Sequence, residues 1–216
     1  MKIFQNRRIL NYAALMFLLI ASTVSARRNE KPSEIAKLQQ PRPRKVKNGA
    51  SYAEDVNSGK IKKDDFIGSP NRKVSASIGG CNVTIKYSSP GVRGRTIWGK
   101  LVPYNKIWVT GANHATTIAF DKNVMINNRK ILAGTYALFT IPGETDWVVI
   151  LNKNTEQHLT DDYSKTDDVM RFTVMPSESA SIVQRLTYSI EPKKKDSAVI
   201  SMTWEKRKID FVLKKD

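Results

Sequence analysis

From Val74 to its end the chain is built of short runs of alternating apolar and polar residues, cut at roughly ten-residue intervals by Gly, Pro, Asn and Asp. A period of two sends successive side chains to opposite faces of an extended backbone, so each run can bury one face only. The clearest run is Cys81–Ser88: Cys81, Val83, Ile85 and Tyr87 share one face, and Asn82, Thr84, Lys86 and Ser88 the other. The same spacing aligns Thr116, Ile118 and Phe120, then Met170, Phe172 and Val174, then Leu186, Tyr188 and Ile190. Ala198, Ile200, Met202 and Trp204 follow, and Ile209, Phe211 and Leu213 close the series.

Two runs, 135–141 (TYALFTI) and 147–151 (WVVIL), are apolar on both faces and read as central strands, joined as a hairpin through Pro142-Gly143. After Val74 no segment keeps a helical period over about eleven residues, although 96–102 can form a single turn. About nine or ten strands with one apolar face each bury those faces best as two packed antiparallel sheets. The expected fold is an all-β antiparallel sandwich over 74–216, with a flattened β-barrel as the alternative.

The N-terminal third is of another kind. Lys2, Arg7 and Arg8 precede an apolar run from Ile9 to Val24, and Val24-Ser25-Ala26 places small residues where a signal peptidase reads. Residues 1–26 therefore read as a secretory signal peptide, with Arg27 first in the mature chain. The apolar run, interrupted by Asn11, falls short of the roughly 20 residues of a permanent span, and an uncleaved inner-membrane anchor is the alternative. The expected location is the periplasm or the exterior.

Residues 27–73 are rich in Lys, Arg, Pro, Asn, Gly and Ser, too poor in apolar area to offset the entropy of ordering, and read as a basic, disordered spacer. Short helices at 33–39 or 52–56 are compatible with that reading. Pro41 and Pro43 stiffen the densest positive cluster, Arg42, Arg44, Lys45 and Lys47.

Charge follows the same division. Of a net +16, residues 1–76 carry 16 Lys and Arg against 6 Asp and Glu, and the remainder 20 against 14. The excess lies mainly outside the β-domain, where it suits weak contact with an anionic membrane or polysaccharide. No helix-turn-helix, zinc-finger or aromatic RNA-binding pattern accompanies it, so nucleic acid is not an expected partner. Cys81 is the single cysteine, which excludes an intrachain disulfide and a multi-cysteine metal site; its place on the apolar face of a strand makes it an inert core thiol.

Function concentrates in 88–114, SSPGVRGRTIWGKLVPYNKIWVTGANH. Arg93, Arg95, Trp98, Trp108, Asn113 and His114 are the candidate ligand-binding residues. Indole faces suit sugar rings or apolar groups, and forked guanidinium donors suit carboxylate or phosphate. The competing reading makes Trp98 and Trp108 plugs at one end of the sandwich and the glycines servants of tight turns.

His158, Asp161, Asp162, Asp167 and Asp168 crowd one loop, but their spacing matches neither a zinc site nor a calcium loop, and they read as turn and solubilising residues. His114 lacks an assignable nucleophile and orienting acid, and Ser88 and Ser89 lack a hydrolase elbow. Without a phosphate-cradling loop, no cofactor is expected, and no metal.

The segment from Ser88 to Phe120, the run from Ala133 to Gly143, Trp147 and the strand-ending Asn152 together resemble the bacterial domain of unknown function 2911 family. The resemblance covers roughly 74–213 and implies an exported protein of gliding-type or gut-type bacteria with no settled reaction. Members of that family tend to carry Arg where this chain has Val109, and Trp-Gly where it reads His158-Leu159. A family-wide ligand contact is therefore not carried over to either place.

The first functional expectation is an exported, non-enzymatic module binding a glycan, a peptide or a partner protein. A hydrolase or metal-dependent enzyme with a site near His114, and a structural envelope protein, are the alternatives. No pattern in the chain fixes an oligomeric state.

Overall fold

The computed structural model describes residues 49–216. A helix, α1 (Gly49–Asn57), leads through a strap into ten strands: β1 (Asn71–Ile78), β2 (Cys81–Ser88), β3 (Thr117–Phe120), β4 (Val124–Ile126), β5 (Arg129–Ile131), β6 (Gly134–Pro142), β7 (Trp147–Asn152), β8 (Asp168–Val174), β9 (Ser177–Lys194) and β10 (Ser197–Lys215). They form a six-stranded sheet, ordered β1-β2-β3-β6-β7-β8, and a four-stranded sheet, ordered β5-β4-β10-β9. All neighbours run antiparallel, and among the described residues no hydrogen-bonded strand pair joins the two sheets into a barrel. The expected β-sandwich is the fold.

The alternating runs face inward as their spacing requires. Val83, Ile85, Ile118, Phe120, Leu186, Tyr188, Ile200 and Leu213 share one buried cluster between the sheets, together with Cys81. Burying a side chain of this size is worth about 1.5–3 kcal/mol, so this face holds the sandwich without a disulfide. The β1–β2 turn is tight: Ile78 and Cys81 are register partners, and the two residues between, Gly79 and Gly80, both have positive φ (58° and 78°). A two-residue turn of that hand follows the twist of the strands, and glycine adopts it without strain.

The two runs apolar on both faces lie inside the sheet as β6 and β7, and their outer face is covered as well. Val109 and Ala115, in the loop between β2 and β3, pack with Ala137, Phe139 and Ile150 into a second small core. Trp108 and Thr140 exchange backbone hydrogen bonds at 2.8 and 3.0 Å, so the loop continues the pairing of β6 beyond the end of β3.

The leader and the Arg42–Lys47 cluster lie outside the described residues. Of the expected spacer, 49–73 is structured: 49–57 is helical, and β1 begins at Asn71, ahead of the expected boundary at Val74. The reason is Arg185 of β9, whose side chain is wholly buried. Its guanidinium donates to Asp64 Oδ1 (2.6 Å), Phe66 O (2.9 Å), Gly68 O (2.8 Å) and Ser89 O (3.1 Å). Tyr52 and Phe66 lay their rings on it at 5.5 and 5.4 Å, and Tyr52 donates its hydroxyl to the same Asp64 oxygen. Asn57, at the end of α1, exchanges two hydrogen bonds with the backbone of Arg185.

Removing one partner of a buried ion pair leaves the other charge desolvated and unmatched. Asp64→Ala is expected to lower the unfolding free energy by about 3–5 kcal/mol in denaturant melts of the full chain. Lys63→Ala, which removes the solvent-exposed pair with Asp65, leaves the same melt unchanged.

Candidate functional site

The long connection from β2 to β3 carries all six candidate residues. It leaves β2 through Ser89-Pro90-Gly91, held against β9 by Leu186 N–H to Pro90 O (3.0 Å) and Val92 N–H to Gln184 O (2.7 Å). Gly91 is bare of necessity, since a Cβ there would drive into the Asp64 carboxylate and the Arg185 guanidinium. The chain then reverses at Arg93 and Gly94, both at positive φ, and closes with Arg95 N–H to Val92 O (3.0 Å). Arg95 folds back, donating through Nε to Val92 O (3.2 Å) and through its terminal nitrogen to Gly91 O.

Trp98 and Trp108 enter a four-indole cluster with Trp147 and Trp204. Trp98 meets Trp147 edge-on at 4.8 Å, and Trp108 stacks on Trp204 at 5.8 Å with the planes 23° apart. Trp108 Nε1 donates to Gly111 O (3.1 Å), whereas the buried Nε1 of Trp204 meets no acceptor. The four indoles pack on one another, and Trp108 and Trp204 also line a cavity.

That cavity, about 260 Å³, is bounded by Arg93, Arg95, Leu101, Trp108, Leu159 and Trp204. Leu101 and Leu159 stand at its rim, 45 % and 42 % exposed. Its charge is one-sided. Burial lowers the pKa of the Arg95 guanidinium, and the charges of Arg93 and Arg185 lower it further; Asp64 alone opposes them, and Asp64 is committed to Arg185.

Backbone strain gathers around the cavity. Arg93, Thr110 and Leu159 have φ of 45°, 51° and 50°, a region costly for side chains with a Cβ and most costly for branched or bulky ones. Thr110, wholly buried, is held there on every side. Its hydroxyl donates to Trp108 O (3.2 Å) and meets Thr140 Oγ1 (3.0 Å), and its carbonyl accepts from Thr116 Oγ1 (3.1 Å) and Tyr188 OH (3.0 Å).

Asn113 and His114 leave this set. Asn113 sits at φ 62° and accepts Leu159 N–H at its carbonyl (2.7 Å), while Ala115 N–H donates to Gln157 O (3.0 Å). This short ladder carries His114 to a different, larger cavity. Of the six residues chosen from sequence, Arg93, Arg95 and Trp108 therefore share a cavity, Trp98 supports them in the indole cluster, and Asn113 and His114 diverge. Leu101, Leu159 and Trp204 complete the cavity and escaped that choice. Trp204 carries only a strand signal, and nothing local ties Leu159 to a loop so far away in sequence.

The crowded His/Asp loop is divided. His158 Nδ1 pairs with Asp161 at the surface (3.3 Å), and its ring centre lies 6.0 Å from that of His114. Among the described residues neither histidine side chain is hydrogen-bonded to a serine, threonine or cysteine, and no three His, Cys, Asp or Glu residues are grouped to hold a metal ion. Asp168 instead points inward, accepting from Asn152 Nδ2 (2.8 Å), from the Tyr163 hydroxyl (2.8 Å) and from Arg171 Nε. Arg171 also donates to the Tyr163 oxygen, which ties the loop 153–167 to β7 and β8.

The fold and cavity together define a loop-bearing β-sandwich with a cationic, apolar-rimmed pocket over a tryptophan plug. The chain belongs to the family described as protein of unknown function (DUF2911), whose family model matches residues 69–213. No curated protein and no solved structure matches it. Among the described residues no helix is long and apolar enough to cross a membrane.

Burial, and then the adjoining Asp168 carboxylate, push the Tyr163 phenol up to about 12. An unfolded phenol ionises near 10, so the Tyr163 contribution to stability is complete below about pH 10 and is lost as pH rises from there through about 12. Denaturant midpoints of the wild type are expected to fall across that window more steeply than those of Tyr163→Phe.

Proposed function

We propose that this protein is an exported, non-enzymatic binding module, and that its site is the cavity bounded by Arg93, Arg95, Trp108 and Trp204. Export rests on the basic start, the apolar run and the small residues before Arg27. The observation that carries the binding reading is the one-sided chemistry of the cavity: guanidinium groups with no carboxylate in the lining, and two leucines kept at the rim against water.

That chemistry favours a ligand with a carboxylate beside an apolar group, such as the end of a peptide or of a partner protein. A sugar ring would need an open aromatic face. Here Trp108 gives one face to Trp204, and the exposed rim is formed by Leu101 and Leu159. The guanidinium groups supply forked donors to a carboxylate, and the rim takes a single side chain.

Tryptophan fluorescence of the full chain provides the test, with N-acetyl-leucine and N-acetyl-phenylalanine as probes and their amides as controls. The acids are expected to bind and the amides to bind at least about tenfold more weakly, as loss of a charged hydrogen-bond partner predicts. Arg95→Ala and Leu159→Ser weaken binding of the acid while the thermal midpoint holds. Equal binding of acid and amide, or loss of binding only in variants that unfold, would refute the reading.

A further inference from the structure

The cavity that receives His114 has its own chemistry. Lys73 of β1 and Lys86 of β2 are register partners, so their side chains rise from one face of the sheet. This is the outer face, because the intervening Val74, Ile85 and Tyr87 pack into the core. Thr117 of β3 is the register partner of Lys86 and extends the row across three strands. The row lies in a groove of about 660 Å³, walled by His114 and by residues 155–157.

Two features of this groove are unbalanced. Like charges directly opposite on adjacent strands repel, and among the described residues neither lysine has an ion-pair partner. Arg72, beside them, is matched by Glu54, which leaves Glu156 as the one carboxylate lining the groove. In the wall, Gln157 is 1 % exposed; its Nε2 donates to Asn154 O (2.6 Å), but its Oε1 receives no donor. A buried acceptor left empty is unfavourable, as is an unmatched pair of cations.

An anionic ligand balances the lysine pair. We propose that this groove is a second binding site, for an acidic oligosaccharide. Its carboxylates meet Lys73 and Lys86, and Thr117 and Thr155 serve its hydroxyls. The volume falls within the range of sites for short oligomers. Single-stranded nucleic acid fits less well, because binding it draws on exposed aromatic faces and Tyr87 in this groove is buried. The groove shares no lining residue with the Arg95 cavity, so the two proposals stand or fall separately.

Calorimetry on the full chain at physiological salt tests this, with tetragalacturonate, neutral cellotetraose and a short oligouridylate as probes. The basic N-terminal region attracts any polyanion, so the comparison that decides is between variants that retain it. Lys73→Gln/Lys86→Gln is expected to lose about tenfold in affinity for tetragalacturonate, and Lys193→Gln/Lys194→Gln, an equal charge change at the β9–β10 tip, less than about twofold. Thr117→Val, which keeps the volume, weakens the acidic sugar without lowering the melting temperature. The proposal is overturned if cellotetraose binds as tightly as tetragalacturonate, if both lysine pairs cost the same, or if the oligouridylate binds more tightly and depends on Lys73 and Lys86.

Discussion

The buried guanidinium of Arg185 is the point on which the rest of the molecule hangs. A charge taken out of water is tolerated only where carboxylate, carbonyls and ring faces replace its hydration, and here they come from three separated stretches of chain that meet on a fourth. Asp64, Phe66 and Gly68 belong to the strap, Ser89 to the exit of β2, Tyr52 to α1, and Arg185 to β9. The strap therefore cannot leave the sandwich without exposing one ion and stranding another. The demand reaches Gly91 as well, since only a residue without a side chain lets the loop pass over the pair. Arg95 then donates its hydrogen bonds to the carbonyls of Gly91 and Val92, so the cationic wall of the pocket is one step removed from the buried pair.

The strands were legible because their signal is local. Alternation between Cys81 and Ser88, or between Ala198 and Trp204, needs no knowledge of the partner strand to show which face is buried. The pairing of Arg185 with Asp64 has the opposite character. Between Gln184 and Leu186 an arginine reads as an ordinary outward position, and in a lysine-rich stretch Asp64 reads as spacer. Burial becomes affordable only when segments distant in sequence meet, so composition alone assigned α1 and the strap to a tether. The site was half legible for a related reason. Arg93, Arg95 and Trp108 were visible by residue type, but the left-handed turns at Thr110 and Asn113 send Asn113 and His114 elsewhere, and neither Val-Thr-Gly nor Ala-Asn-His announces such a turn.

The same turns explain how the loop from 105 to 116 is held although it has little regular structure. Its inner side is a core element in its own right, with Val109 and Ala115 covering the outer face of β6 and β7. Its bends are over-determined: Thr110 spends its hydroxyl and its carbonyl on four hydrogen-bond contacts, one of them to Tyr188 in the opposite sheet. A strained φ persists where the surroundings fix it on all sides, and that fixing also holds the indole of Trp108 at one orientation. Within the folded unit carboxylates are sparse around Arg95 and around the Lys73–Lys86 pair, whose groove only Glu156 supplies with one.

These two regions are opposite sides of a single wall. Gly111 and Ala112 line the pocket, His114 and Ala115 line the groove, and the facing segment divides in the same way, with Leu159 on one side and Glu156 and Gln157 on the other. The two segments are joined by backbone hydrogen bonds from Leu159 to Asn113 and from Ala115 to Gln157. Sliding that ladder would move the pocket rim and the groove wall together. The inward network of Asn152, Tyr163, Asp168 and Arg171 opposes such sliding, because it anchors the loop that carries Leu159 to β7 and β8. The acidic residues of 158–168, which by type alone suggested a metal site, thus act through Asp168 to fix the wall on which both cavities depend.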